Sequence, residues 1–207
     1  MATQSRLDTN RLLLRPLLQA DAPLIQQAAS NRAISDRMIS IPHPYPNGEA
    51  ERYVSRQIAE FEEGHSVTFV IERKLENSFC GIIEIRDIDW EHSQAELSFW
   101  LAVEAQGHGY MSEALQPMIS FSFQELGLNR LCAYHMVKNP ASGCVLQKNS
   151  FVKEGVLRQR VRKGGVFEDT VLLAILRQDW DNSKAIALTP QNDKEQLATN
   201  IDLRKCH

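Results

Sequence analysis

The sequence offers little for metal, redox or membrane chemistry to use. Its four cysteines, Cys80, Cys132, Cys144 and Cys206, are scattered without a CxxC pair or any zinc-ligand spacing. Three of them fall inside apolar runs, where a free thiol packs as a small hydrophobe, so core packing is predicted for them. The six histidines never stand as HxxxH or HExxH, which leaves metal catalysis without support. No segment approaches about 18 uninterrupted apolar residues, so no transmembrane helix is predicted. The opening MATQSRLDTNR has no apolar h-region, so no signal peptide is expected and the cytoplasm is the predicted compartment. A basic excess is missing too: 23 Lys plus Arg against 26 Asp plus Glu give a net charge of -3, which argues against direct nucleic-acid binding.

What is there is an ordinary globular composition. At 207 residues, 43% hydrophobic and 24% charged, the chain predicts one domain, or at most two small ones. A domain of this size buries roughly 70% of its unfolded surface, so it needs neither disulfide nor metal to hold a core.

Thr9 to Leu17 is a short apolar run closed by Pro16, suited to a first strand near a sheet edge. Asp21 stands where a helix cap belongs, ahead of APLIQQAAS. Three prolines and a glycine between Ile39 and Gly48 predict an irregular loop, and Glu49 to Glu63 carries apolar residues at helical spacing. Three strands follow, Val67 to Arg73, Cys80 to Ile88 and Gln94 to Val103, with short polar separators that predict an antiparallel meander. In the third, Glu96, Ser98 and Trp100 share one face. A helix after Gln106 contains Pro117, which is expected to kink it or loosen one turn. Arg130 to Val137 reads as a strand, Ala141 to Lys148 as a helix, and Val156 to Val161 with Phe167 to Leu176 as a hairpin around Gly164-Gly165. The fold class is therefore mixed α/β. Residues 1–180 read as a single domain and 181–207 as a polar tail, either docked or mobile.

The segment richest in chemistry is Gln106-Gly107-His108-Gly109-Tyr110-Met111-Ser112-Glu113, between a strand and a helix. Two glycines let a ligand approach the backbone, and a helix start offers unpaired N–H groups and a positive dipole end, which together make a phosphate cradle. A plain glycine turn before a helix has the same residues. A P-loop is excluded by spacing and by the missing Lys, and a dinucleotide fingerprint fails because Ser112 holds its third glycine position.

The runs AELSFWLAVEAQGHGYMSEAL and LGLNRLCAYHMVKNPASGCVLQKNSFVKEGVLR resemble the GNAT superfamily of acetyl-CoA-dependent N-acetyltransferases, and more narrowly the Rim-type ribosomal-protein N-terminal acetyltransferases. The likeness extends from about Thr9 to Trp180. Its core motif, Q/R-x-x-G-x-G/A, is matched at Gln106 and Gly109 and departs at Met111. The resemblance implies a mostly antiparallel sheet with two splayed parallel strands, Gln94–Val103 and Arg130–Val137, and acetyl-CoA in the gap between them. It implies pyrophosphate binding by the backbone from Gln106 through Gly107, His108, Gly109, Tyr110 and Met111 to Ser112. The pantetheine arm would lie along Leu101, Ala102 and Val103, with Asn139 and Ser142 near the thioester. Ser150 replaces the family's usual Gly, and Leu146 replaces the superfamily's usual acid, a Tyr.

Direct acetyl transfer needs a base for the amine and a proton donor for the leaving thiolate. Glu96 matches the family's strand carboxylate and is the candidate base; a solvated strand residue is the other reading. Ser142 is the candidate acid, or else a helix cap or cofactor contact. Glu84 is on a strand that could border the acceptor cleft but reads first as a surface residue; His43, Tyr45 and Trp90 read as acceptor-pocket or packing aromatics, His108 as solvent-facing, and Arg158 with Arg160 as an exposed strand face ahead of a phosphate site. The acceptor is a primary amine, either a protein N-terminus or a small molecule such as a polyamine or an aminoglycoside-like amine. A non-catalytic acyl-CoA-binding module is the competing class. A monomer or a homodimer fits the resemblance, with no membrane partner.

Overall fold

The computed structural model describes residues 4–188. Its strands are β1 (Leu7–Asp8), β2 (Leu12–Pro16), β3 (Val67–Arg73), β4 (Ser78–Asp89), β5 (Gln94–Leu101), β6 (Arg130–Met136), β7 (Val152–Lys163) and β8 (Val166–Leu176). The helices are α1 (Ala22–Ala29), α2 (Arg32–Ser35), α3 (Glu49–Glu62), α4 (Tyr110–Gln124), α5 (Pro140–Lys148) and α6 (Arg177–Leu188). One eight-stranded sheet runs in the order β1-β2-β3-β4-β5-β6-β8-β7. Every pairing is antiparallel except β5 with β6.

Helices cover both faces of this sheet. On one side Leu115, Met118 and Phe123 of α4 and Leu146 of α5 pack on Phe69, Ile83, Ile85, Leu97 and Leu131. On the other, Ile25 and Ala29 of α1 with Ala50 and Val54 of α3 pack on Val70, Ile82 and Trp100. That double cover explains why VTFVIE and CGIIEI are near-continuous apolar runs rather than alternating ones. Close pairing of β4 with β5 limits bulk at one position further. A Cβ at Gly81 lies 2.2 Å from the Trp100 carbonyl oxygen and 2.8 Å from Leu101 Cα, both backbone atoms of β5. Gly81→Ala is therefore expected to force β4 and β5 apart, costing about 1–3 kcal/mol, or roughly 2–12 °C in Tm for a chain of this size. A thermal melt within 1 °C of wild type, to take an order-of-magnitude limit on no effect, overturns this.

The feature that makes the site is the parallel pair. β5 and β6 are in register only at Gln94↔Arg130, Ala95↔Leu131 and Glu96↔Cys132. Beyond Glu96 the two strands part. Leu97–Leu101 then pairs on the β4 side alone, and Ala133–Met136 on the β8 side alone. A V-shaped gap opens at their carboxyl ends, as the resemblance implies.

Several expectations need correction. Asp21 precedes α1 but makes no capping bond. Its carboxylate is instead held by Arg15 at 2.6 and 2.8 Å and accepts the Leu18 N–H at 2.8 Å. Ser142 is not a helix cap, because α5 begins earlier, at Pro140, with Asn139 ahead of it. Helix α4 spans Tyr110–Gln124 with Pro117 inside it. Of the cysteines read as core, Cys80 is buried, Cys132 is half-buried and Cys144 is exposed; Cys206 lies outside the described residues. Helix α6 carries the chain across the boundary drawn at Trp180, whose ring packs 5.5 Å from that of Phe123. The rest of the predicted tail, 189–207, lies outside the described residues. The hairpin turn is as read: Gly164 and Gly165 take φ of +55° and +86°, the two positive angles that a type I′ turn requires. Ser150 takes φ +67°, the left-handed position at which the family usually has Gly.

Candidate active site

The glycine segment folds into a cradle because two of its residues need left-handed backbone. Gly107 has φ +81° and Gly109, the residue ahead of α4, has φ +77°. The first-turn N–H groups of α4 have no intrahelical acceptor and lie at the positive end of the helix dipole. Glu113 fixes this turn to the β1–β2 corner. It accepts from Thr9 Oγ1 at 2.6 Å, from the Arg11 N–H at 2.8 Å and from Arg11 Nε at 2.7 Å. Burial pulls the Glu113 carboxyl up, but these donors outweigh it and hold it below the usual carboxylate range. Arg11 also donates to the His108 carbonyl at 3.1 Å, tying the loop from outside.

A cleft of about 440 Å³ lies against the cradle and between the splayed strands. On its wall stand Leu101, Gln106, Gly107, Gly109, Tyr110, Met111, Ser112, Asn139 and Ser142, nine of the residues expected there. Ala102, Val103 and His108 are not on that wall. The Ala102 N–H is spent on the Cys80 carbonyl at 2.8 Å, Val103 has left the strand for a short 3-10 turn, and His108 is exposed. Met111 buries its side chain in the α4 core, so its bulk does not crowd the loop.

Two cations on the wall, Arg37 and Lys148, were missed. Arg37 follows α2 in a stretch with no recognisable pattern, so no sequence signal marked it. It reaches across the cleft, its guanidinium donating to Gln106 Oε1 at 3.3 Å and its carbonyl accepting from Asn139 Nδ2 at 3.2 Å. Gln106 in turn donates to the Leu101 carbonyl at 3.0 Å. The donor set suits a phosphorylated ligand: a cradle whose Gly107 has no heavy atom near its missing Cβ, a helix start, and two cations.

Deeper in the V is a narrow neck whose wall includes Glu96, Ser98, Tyr134, Asn139 and Ser142. Here the structure brings the two expected catalytic residues to one cavity. Ser142 Oγ accepts from Asn139 Nδ2 at 3.0 Å, which leaves the hydroxyl hydrogen for another acceptor. Glu96 accepts a hydrogen bond from Arg86, its cross-strand partner. Burial alone would lower Arg86, but the Glu96 and Glu84 carboxylates outweigh it and raise it. Leu146 is in the core and carries no polar group toward the neck.

Beyond the neck, under the Ile39–Gly48 loop, lies a chamber of about 250 Å³. Glu84 is on its wall and only 8% exposed, so the surface placement read from sequence is wrong. Its strand is covered on both faces, which leaves no solvent side for it. Tyr45 lines this chamber; His43 is exposed, and Trp90 donates to the Gly64 carbonyl at 2.9 Å instead. Arg158 and Arg160 are exposed as expected, with Arg160 stacked 3.7 Å over the Tyr134 ring. Met38 borders the cleft, the neck and the chamber alike, so the three form one track with shared walls.

A helix-start cradle opening onto a gap between two parallel strands, with a carboxylate and a hydroxyl at its narrow point, is the layout of an acyl-CoA-dependent transferase. Comparison with known proteins agrees. Residues 11–152 match the model of the acetyltransferase (GNAT) domain. N-acetyltransferase YoaA of Bacillus subtilis is 30% identical over 171 residues, covering 83% of this chain and 96% of the relative. The [ribosomal protein uS5]-alanine N-acetyltransferase of Escherichia coli is 29% identical, covering 84% of this chain and 92% of its own. Among solved structures, the ribosomal L7/L12 alpha-N-protein acetyltransferase in complex with coenzyme A superposes with a TM-score of 0.77 at 22% identity, over 83% of this chain and 98% of that one. The chain belongs to the GNAT acetyltransferase family, and acetyl-CoA is its acetyl donor.

Proposed function

We propose that this enzyme acetylates a primary amine by direct attack, with Glu96 taking the amine proton and Ser142 supplying a proton to the leaving thiolate. The observation that carries the reading is the neck, where the strand split brings Glu96 and Ser142 to one cavity that shares Asn139 and Ser142 with the phosphate-fitting cleft. The backbone from Gln106 to Ser112 holds the pyrophosphate, and Leu101 borders the pantetheine arm. Direct attack is favoured over an acyl-enzyme because no cysteine among the described residues stands on the wall of the cleft, the neck or the chamber. The likeness to ribosomal-protein acetyltransferases supports a protein N-terminal amine as one acceptor. The carboxylates of the inner chamber favour a second reading, a small cationic amine, and a spermidine N(1)-acetyltransferase of Vibrio cholerae is 27% identical over 84% of this chain and 97% of its own. The enzyme works in the cytoplasm as one catalytic domain that runs into helix α6; no helix among the described residues is long and apolar enough to cross a membrane.

Release of free thiol from acetyl-CoA with a panel of amines tests the reading. Turnover on at least one amine is expected; thermal stabilisation by acetyl-CoA with no turnover on any acceptor would make the protein a binding module instead. Ser142→Ala is expected to lower kcat by about 10²-fold, the lower end of a proton-transfer contribution, with little change in the acetyl-CoA KM. A loss confined to that KM moves Ser142 from proton donor to cofactor holder.

A further inference from the structure

The mechanism above uses the cleft and the neck but gives the inner chamber no chemistry. At about 250 Å³ the chamber lies just under the ~300–1,000 Å³ of pockets that bury drug-sized ligands, so it suits a short chain. Its charged walls are Glu49, Glu60, Glu84 and Asp87 against Arg56 and Arg86. Most of these groups are settled. Glu49 pairs with Arg52 at 2.7 Å, Glu60 stands 4.0 Å from Arg56, and Asp87 is largely in water.

Glu84 is not. It sits mid-strand on β4, buried, opposite Ser98 of β5. Tyr53 of α3 donates its hydroxyl to Glu84 Oε2 at 2.9 Å. Among the described residues its cationic neighbour is Arg86, 3.7 Å away, and that guanidinium already hydrogen-bonds Glu96. One half-buried cation thus serves two enclosed carboxylates, and its Nε is itself buried without a hydrogen-bond partner. Burial pushes the Glu84 carboxyl up, while Arg86 and the hydroxyls of Tyr53 and Ser98 pull it back. A carboxylate kept in this state, oriented by a tyrosine and facing a cavity, has the properties of a counter-ion waiting for a ligand.

We propose that Glu84, oriented by Tyr53, is the specificity-determining anion of the acceptor chamber: it holds a cationic nitrogen of the acceptor other than the one acetylated. This rests on the amine-acetylation reading. The reacting nitrogen is at the neck beside Glu96, and Glu84 faces Ser98, two residues further along β5 and one strand over. An acceptor satisfying both carries two nitrogens on a short flexible chain. An under-compensated carboxylate selects a second nitrogen that is charged, so the class is an aliphatic diamine or longer polyamine rather than a peptide, whose next nitrogen is a neutral amide.

The test compares 1,5-diaminopentane, n-hexylamine and an alanine-initiated peptide in the thiol-release assay with the full-length chain. Wild type is expected to favour the diamine over the matched monoamine by about 10- to 10²-fold in kcat/KM, the range for one enclosed charge pair. Glu84→Gln keeps the shape and the Tyr53 contact; it is expected to erase that preference through the diamine KM, with kcat and the acetyl-CoA KM within about 2-fold of wild type. Glu84→Asp is expected to restore part of the preference, which a packing role would not do. Equal use of monoamine and diamine by wild type overturns the proposal without any variant, as does a Glu84→Gln loss that falls on kcat, or a peptide used best with a KM that Glu84→Gln leaves unchanged. Absence of turnover on all three substrates, by contrast, sinks the acetylation reading itself.

Discussion

Gly109→Val is expected to lose acetyl-CoA affinity by about 5-fold to ~10²-fold, since ~1–3 kcal/mol of backbone strain converts at ~1.4 kcal/mol per tenfold. Gly109 holds φ +77°, and a β-branched residue there is a genuine outlier. The loop can relieve the strain only by moving, and movement withdraws the first N–H groups of α4 from the place where a pyrophosphate would meet them. The added side chain also starts 3.7 Å from the Arg11 nitrogen Nη2, a neighbour of the hydrogen bond that ties His108 to the β1–β2 corner. Calorimetric titration with coenzyme A measures the effect. Gly127→Val is the control, because Gly127 has the same left-handed backbone (φ +71°), has nothing within 4 Å of its missing Cβ, and is not on the cleft wall. It is expected to lower Tm and leave the Kd alone. Equal loss of affinity in both variants would mean general unfolding and remove the support for the cradle.

Where local chemistry decides structure, the sequence was readable. The β-branched runs became β3, β4 and β5 with boundaries shifted by at most two residues, because short polar separators permit little besides an antiparallel meander. The two glycines before α4 and the Gly164-Gly165 pair declared positive φ, which few other residues take. The depth of a residue is a different matter. Glu84 in GIIEIRDI has the pattern of a surface charge, and only α1 and α3 packing over that face make it buried. Tyr53 was legible as one of the apolar positions of α3, but its hydroxyl bond to Glu84 joins residues 31 apart on different elements. Arg37 crosses the cleft from a segment 102 residues before Asn139, which no local pattern encodes. Helix α6 is polar in composition and was missed for that reason; its anchors are Trp180 packed on Phe123 and Arg177, which donates to the Phe123 and Leu128 carbonyls.

Glu96→Gln carries the greatest expected loss of activity. If Glu96 takes the amine proton, the amide removes the acceptor for that proton, and kcat/KM falls by about 10²- to 10⁴-fold. The acetyl-CoA Kd is expected to stay as it is, because Glu96 is on the neck and not on the cleft wall. The variant also preserves what the residue does structurally: an amide oxygen still accepts from Arg86, so register at the last β5–β6 pair, Glu96↔Cys132, is held. A thermal melt separates chemistry from packing: loss of a proton acceptor leaves the melting temperature as it is, whereas a packing defect lowers it along with the rate. Because Gly109→Val and Glu96→Gln act at separate points of one track, their defects must separate, with binding lost at the cradle and chemistry lost at the neck. Full turnover of Glu96→Gln across the pH range would take the proton away from Glu96 and assign it to water or to another carboxylate of the chamber.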